Sequence, residues 1–143
     1  MKKQYFVLSL IIVLVIFVTF IVTDNFAQEK PETSKLAVLW TSGDPDVAHK
    51  VCFMYTHNAK KQKWFDEVTL IIWGPSSRLL SGDKDLQAKV NQMQTDGVIV
   101  KACKACADLY GVSDRLSQLG IEVKYMGQPL TEMLKTDYKV LTF

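Results

Sequence analysis

The chain has 143 residues, 48% of them hydrophobic, which is enough for one domain with its own core and too little for two. Without Lys2 and Lys3, the only charges before Asp24, the 17 basic residues fall to 15, against 15 acidic. A nearly balanced body with no basic stripe gives no electrostatic footprint for nucleic acid, so nucleic-acid binding is not expected.

The first segment, residues 1–23, has two lysines followed by an uncharged apolar run from Phe6 to Val22. It predicts a hydrophobic helix that acts as a signal peptide or a membrane anchor. The lysines stay cytoplasmic under the positive-inside rule, so the remainder is exported, either periplasmic or held at the inner membrane. If uncleaved, the segment makes the membrane a partner. Ala27 is a candidate cleavage point, although Asn25 matches an A-x-A site poorly. Residues 24–35, polar and containing Pro31, read as a linker, and 36–143 as the folded domain.

After the linker, strand-like and helix-like segments alternate. "KLAVLW" (35–40) is the first strand, and Asp44-Pro45-Asp46 is a helix start with an N-cap, a first-position proline and an acid near the positive helix end. Val47, Val51, Met54, Tyr55 and Ala59 give that helix its expected apolar stripe. "EVTLIIW" (67–73) is the second strand, followed by a helical region over 76–95 broken near Ser81-Gly82-Asp83. "GVIVKA" (97–102) is the third strand and delivers Cys103. Short helices over 103–109 and from Ser113 or Asp114 to Gly120 lead to strand 121–126, helix 129–136 and strand 138–143.

This alternation implies an α/β fold: a five-stranded, mostly parallel sheet with helices on both faces, layered as in flavodoxin. Ligands of such sheets bind outside the carboxyl ends of the strands. Those ends carry Ser42, Gly43 and Asp44, then Trp73 and Gly74, then Cys103, then Gly127. They form the expected pocket.

Cys103 and Cys106, in "VIVKACKACADLYGV", are the candidate catalytic residues. A thiolate is the reactive form of cysteine, and the start of a helix, with Lys101 and Lys104 on either side, favours an anion at Cys103. Cys106 follows one turn later within disulfide reach and is suited to resolve whatever forms on Cys103. A static bridge across so small a loop would stabilise little. Metal binding would need ligands beyond His49 and Cys52, and haem attachment would need a histidine where Ala107 stands, so neither a metal nor a cofactor is expected. Cys52 reads as core, and His57, like His49, as a solvated helix position. A thioredoxin-type motif would follow an early strand and enclose different residues.

Cys103, the small residues after it and Gly111, all following a third strand, resemble the DsrE/DsrF-like sulfur-relay family. "LGIEVKYMGQPLTEMLK…YKVLTF" is similar to that family's last two strands, so the resemblance covers about residues 35–143. It implies a compact α/β protein that assembles as a homo-oligomer, a trimer or hexamer. It also implies sulfane sulfur carried as a persulfide on the cysteine that Cys103 matches, with a sulfur donor or acceptor protein or a small thiol as partner. Whether such a chain is a sulfurtransferase or only a carrier stays open. The export segment and the second cysteine depart from the relay members. With Cys106 present, two alternatives remain: a dithiol-disulfide oxidoreductase using the same pair, and a non-catalytic oligomeric binding module.

Overall fold

The computed structural model describes residues 33–143. The expected hydrophobic segment 1–23 and nearly all of the linker lie outside the described residues. Five parallel strands make one sheet: β1 Lys35–Trp40, β2 Glu67–Ile72, β3 Ile99–Cys103, β4 Glu122–Lys124 and β5 Tyr138–Thr142, in the order β4-β3-β2-β1-β5. Helix α1 joins β1 to β2 and consists of Pro45–Val47, a π-helical turn Ala48–Cys52, and Phe53–Lys61. Helices α2 (Pro75–Gly82) and α3 (Lys84–Thr95) lead to β3, α4 (Lys104–Leu109) and α5 (Ser113–Gln118) to β4, and α6 (Gly127–Lys135) to β5.

The strand order decides how the helices are distributed. From β1 to β4 the chain steps across the sheet in one direction, so crossovers of one hand all pass over the same face. The return from β4 to β5, on the far side of β1, must pass over the other. Leu36, Val38 and Trp40, Val68, Leu70 and Ile72, Val100 and Ala102 accordingly point into a large core with apolar residues of α1 to α5. The alternate residues Ala37, Ile71 and Cys103 point the other way and pack with Met126, Leu130 and Met133 of the α6 region. Among the described residues, the second face is therefore covered by one nine-residue helix, none of whose residues is buried.

Local signals explain the element boundaries. The Asp44 carboxylate accepts from the Asp46 N–H at 2.8 Å and starts α1. Asp83 accepts from Asp85 and Leu86 N–H at 2.9 and 3.0 Å, which separates α2 from α3 where the expected break lies. Two expectations need correction. In α1 the buried residues are Ala48, Cys52, Phe53, Thr56 and Ala59, whereas Val51 and Met54 are 43% and 57% exposed. The π turn, closed by Phe53 N–H on the Ala48 carbonyl, brings residues five apart into line and turns Phe53 inward. There it meets Trp40 edge to face, with centroids 4.8 Å apart and planes at 76°. The fourth strand is also shorter than 121–126, and α6 begins at Gly127 rather than 129. Pro129 sits in the first turn of α6, where the backbone N–H it lacks would have had no partner within the helix.

Candidate functional site

Cys103 is the last residue of β3 and the N-cap of α4, at φ −71° and ψ 111°. Strand alternation turns its side chain towards the thinly covered face, and its pairing with Lys124 puts β4 beside it. It is 3% exposed, so a reagent must enter the adjoining cleft to reach the sulfur. That cleft, about 520 Å³, is lined by Trp73, Cys103, Ala105, Tyr125, Met126, Gly127, Gln128, Pro129 and Glu132. Its walls are thus the exit of β2, the exit of β4 and the first turns of α6.

Cys106 lies in the same apolar cluster and is half-buried, and both thiols are free. Burial pushes the Cys106 thiol up. The Gly74 backbone N–H, which donates towards this sulfur, works against that, and a hydrogen bond with Cys103 and the charge on that neighbour add to the rise. The two thiols thus share one apolar cluster at the exit of β3.

The neighbouring lysines are both held by carboxylates. Lys101 Nζ lies 3.1 Å from Glu122, which also holds Lys124 Nζ at 2.8 Å. Lys104 Nζ lies 2.6 Å from Asp108 and 5.8 Å from the centre of the Tyr125 ring.

Of the pocket residues read from the strand ends, Trp73 and Gly127 line the cleft and Gly74 adjoins Cys106. Ser42, Gly43 and Asp44 are elsewhere. Thr41 and Ser42 donate their N–H groups to the Phe143 carbonyl at 2.7 and 3.2 Å, which continues the pairing of β1 with β5. Ser42 Oγ accepts from Asp44 N–H, and Asp44 caps α1. Gly43 borders a different cleft, with Pro75, Arg78 and Asp83. His49 and His57 line a groove between α1 and α3, and His57 Nε2 is 2.5 Å from Asp96 Oδ2. Cys52 is fully buried, and burial pushes its thiol up to about 12.

Tyr125 and Glu132 escaped the sequence reading, whereas Met126 and Gln128 flank Gly127 in the "MGQP" exit of the fourth strand. The signal available was the "MGQP" turn itself: ending the strand at Lys124 frees Tyr125 and Met126 for the cleft.

The model of the DsrE/DsrF-like family matches residues 18–143. The chain belongs to the DsrE/DsrF-like family. Among solved structures, it is similar to a conserved protein of unknown function, BT1422, from Bacteroides thetaiotaomicron. The identity is 36% and the TM-score 0.74, over 77% of this chain and 95% of that one. The ychN protein from E. coli shares the fold at 19% identity and TM-score 0.61, over 77% of this chain and 99% of that one. No curated protein matches the chain significantly.

Proposed function

We propose that this DsrE/DsrF-like domain carries sulfane sulfur on Cys103, with Cys106 as the resolving thiol. The observation that carries this reading is the placement of Cys103 at the end of a cleft, with a second free thiol beside it. In the loading step the Cys103 thiolate attacks the terminal sulfur of a donor persulfide R–S–SH. Cys103–S–SH forms and the thiolate RS⁻ leaves. In release, the Cys106 thiolate attacks the inner sulfur of that persulfide, HS⁻ departs and a Cys103–Cys106 disulfide remains. Two equivalents of an external thiol then reduce the disulfide.

The decisive experiment is the intact mass of alkylated protein before and after exposure to polysulfide. One added sulfur that maps to Cys103 and disappears in Cys103→Ser supports carriage. The closeness of the two sulfurs favours one second reading, a dithiol-disulfide oxidoreductase, and the same experiment would report it as loss of two hydrogens with no added sulfur. If both thiols stay unmodified, both readings fail and a binding module remains.

The proposal extends to assembly and location. Ile99, exposed on β3, and Leu134, exposed on α6, support a homo-oligomer. The apolar run between Lys3 and Asp24 supports export, and fractionation of cells expressing the full chain tests it.

A further inference from the structure

We propose that Glu132 makes the Cys103 cleft selective for uncharged or cationic partners: its carboxylate disfavours any thiol or persulfide that carries a negative charge beside its sulfur. This deepens the reading above and rests on Cys103 being the thiol that reacts.

The cleft is built mostly from apolar surface. Trp73, Tyr125 and Met126 give it aromatic and thioether walls around Cys103. Among the described residues, Glu132 is the one charged side chain in its lining. It is exposed on α6, one turn after Gln128, whose Nε2 donates to Oε1 at 2.9 Å. That bond joins two residues of the same wall and holds the carboxylate along the helix. A compact cleft of about 520 Å³ is about 10 Å across, one Debye length at 0.1 M salt, so a charge on one wall is felt at the others when ionic strength is low.

The positive groups nearby are weaker opponents. The N-terminus of α6 opens into the cleft at Gly127, and such an end carries about half a unit of positive charge. Pro129 has no N–H to add to it, so the full charge of the carboxylate outweighs it. Lys104 lies over the Tyr125 ring but is bound to Asp108 at 2.6 Å, and Lys124, in register with Cys103, is bound to Glu122 at 2.8 Å. Each of these lysines brings its own anion, and neither lines the cleft. Lys101 shares Glu122 with Lys124, which leaves one positive charge at the β3–β4 edge, outside the lining.

The test compares two alkylating reagents of nearly equal size, neutral iodoacetamide and anionic iodoacetate, on the full chain at low salt, with Cys103 quantified by peptide mapping. Their rate ratio at one pH cancels the thiolate fraction of Cys103, so it reads the field in the cleft and not the ionisation of the thiol. In Glu132→Gln the ratio of the iodoacetamide rate to the iodoacetate rate is expected to fall roughly two- to fivefold, and high salt should remove most of the difference. Glu132→Asp keeps the charge and should stay near the parent's ratio, which separates charge from shape. A ratio in Glu132→Gln equal to the parent's overturns the proposal. So does a parent that reacts faster with iodoacetate, which would give the cleft to the helix end and the lysines. A Cys103 that takes up neither reagent ends it as well, since a closed cleft selects nothing. Sulfur uptake is not part of the readout, so this inference and the sulfur-carrier reading fail separately.

Discussion

Lys104 Nζ lies 2.6 Å from the Asp108 carboxylate, one turn further along α4, while Ser113 Oγ donates to the other Asp108 oxygen at 2.5 Å. These bonds hold the Asp108 carboxyl below the usual carboxylate range and raise Lys104. The positive charge nearest to Cys103 in sequence is therefore matched by a negative one. In Asp108→Asn the Lys104 charge is released, and Cys103 should alkylate roughly two- to threefold faster at low salt, the small effect typical of exposed charges. High salt should erase the gain; a rate equal to the parent's at low salt would show that Lys104 does not act on the thiol.

Cys52 should be silent in the folded protein. With its thiol pushed up to about 12 and its side chain fully buried, alkylation under native conditions should stop at Cys103 and Cys106. The third modification should appear only in denaturant, as read by intact mass. Native labelling of Cys52 would mean that α1 opens far more readily than its packing implies.

Phe53→Ala should cost roughly 3–5 kcal/mol in denaturant unfolding, because it removes the partner of Trp40 and leaves a cavity against β1. Met54→Ala, on the exposed side of the same helix, should fall within about 0.5 kcal/mol of the parent. Equal costs would place the stripe where simple helical spacing puts it.

Tyr138 on β5 donates a short hydrogen bond to Glu67 on β2, across β1. Burial, and then this bond, push its phenol from 10.0 up to about 12. The folded state thus favours the neutral form. The associated stability is complete below pH 10.0 and is lost as pH rises towards about 12. Melting temperature measured against pH should fall less steeply in that window for Tyr138→Phe than for the parent. Identical slopes would show that the phenol stays as easily ionised in the fold as outside it.

Leu134, 60% exposed on α6, tests the assembly. Leu134→Glu should shift the protein to smaller species in size exclusion with light scattering, since a charge on a desolvated apolar face is unfavourable. An unchanged mass would mean that copies do not meet over α6.

Much of the fold was legible because local chemistry and global topology agree. Asp44-Pro45 starts a helix in any context, as does Asp83, and uniformly apolar runs such as "TLIIW" suit a strand buried on both sides. The α1 stripe was not legible, because the π turn at Ala48–Cys52 trades regular spacing for the Trp40–Phe53 contact, which depends on a residue from another element. At the site, the strand exits located Trp73, Gly74 and Gly127 beside the cysteines. The strand order leaves Ser42 to Asp44 apart from the Cys103 cleft, beside the Phe143 carbonyl, and no local pattern encodes strand order. The pairing of Lys101 with Glu122 is likewise a cross-strand fact, fixed by the register of β3 against β4.

The lone crossing of α6 has a consequence for how this protein can change. One wall of the Cys103 cleft belongs to a helix that contributes no buried residue, while the sulfur itself hangs from a strand whose other face anchors the main core. Substitutions at the exposed Gln128 and Glu132 can therefore reshape what reaches the thiol at little expense to folding. The sheet with its five-helix layer is a chassis, and α6 is the part that selection can exchange.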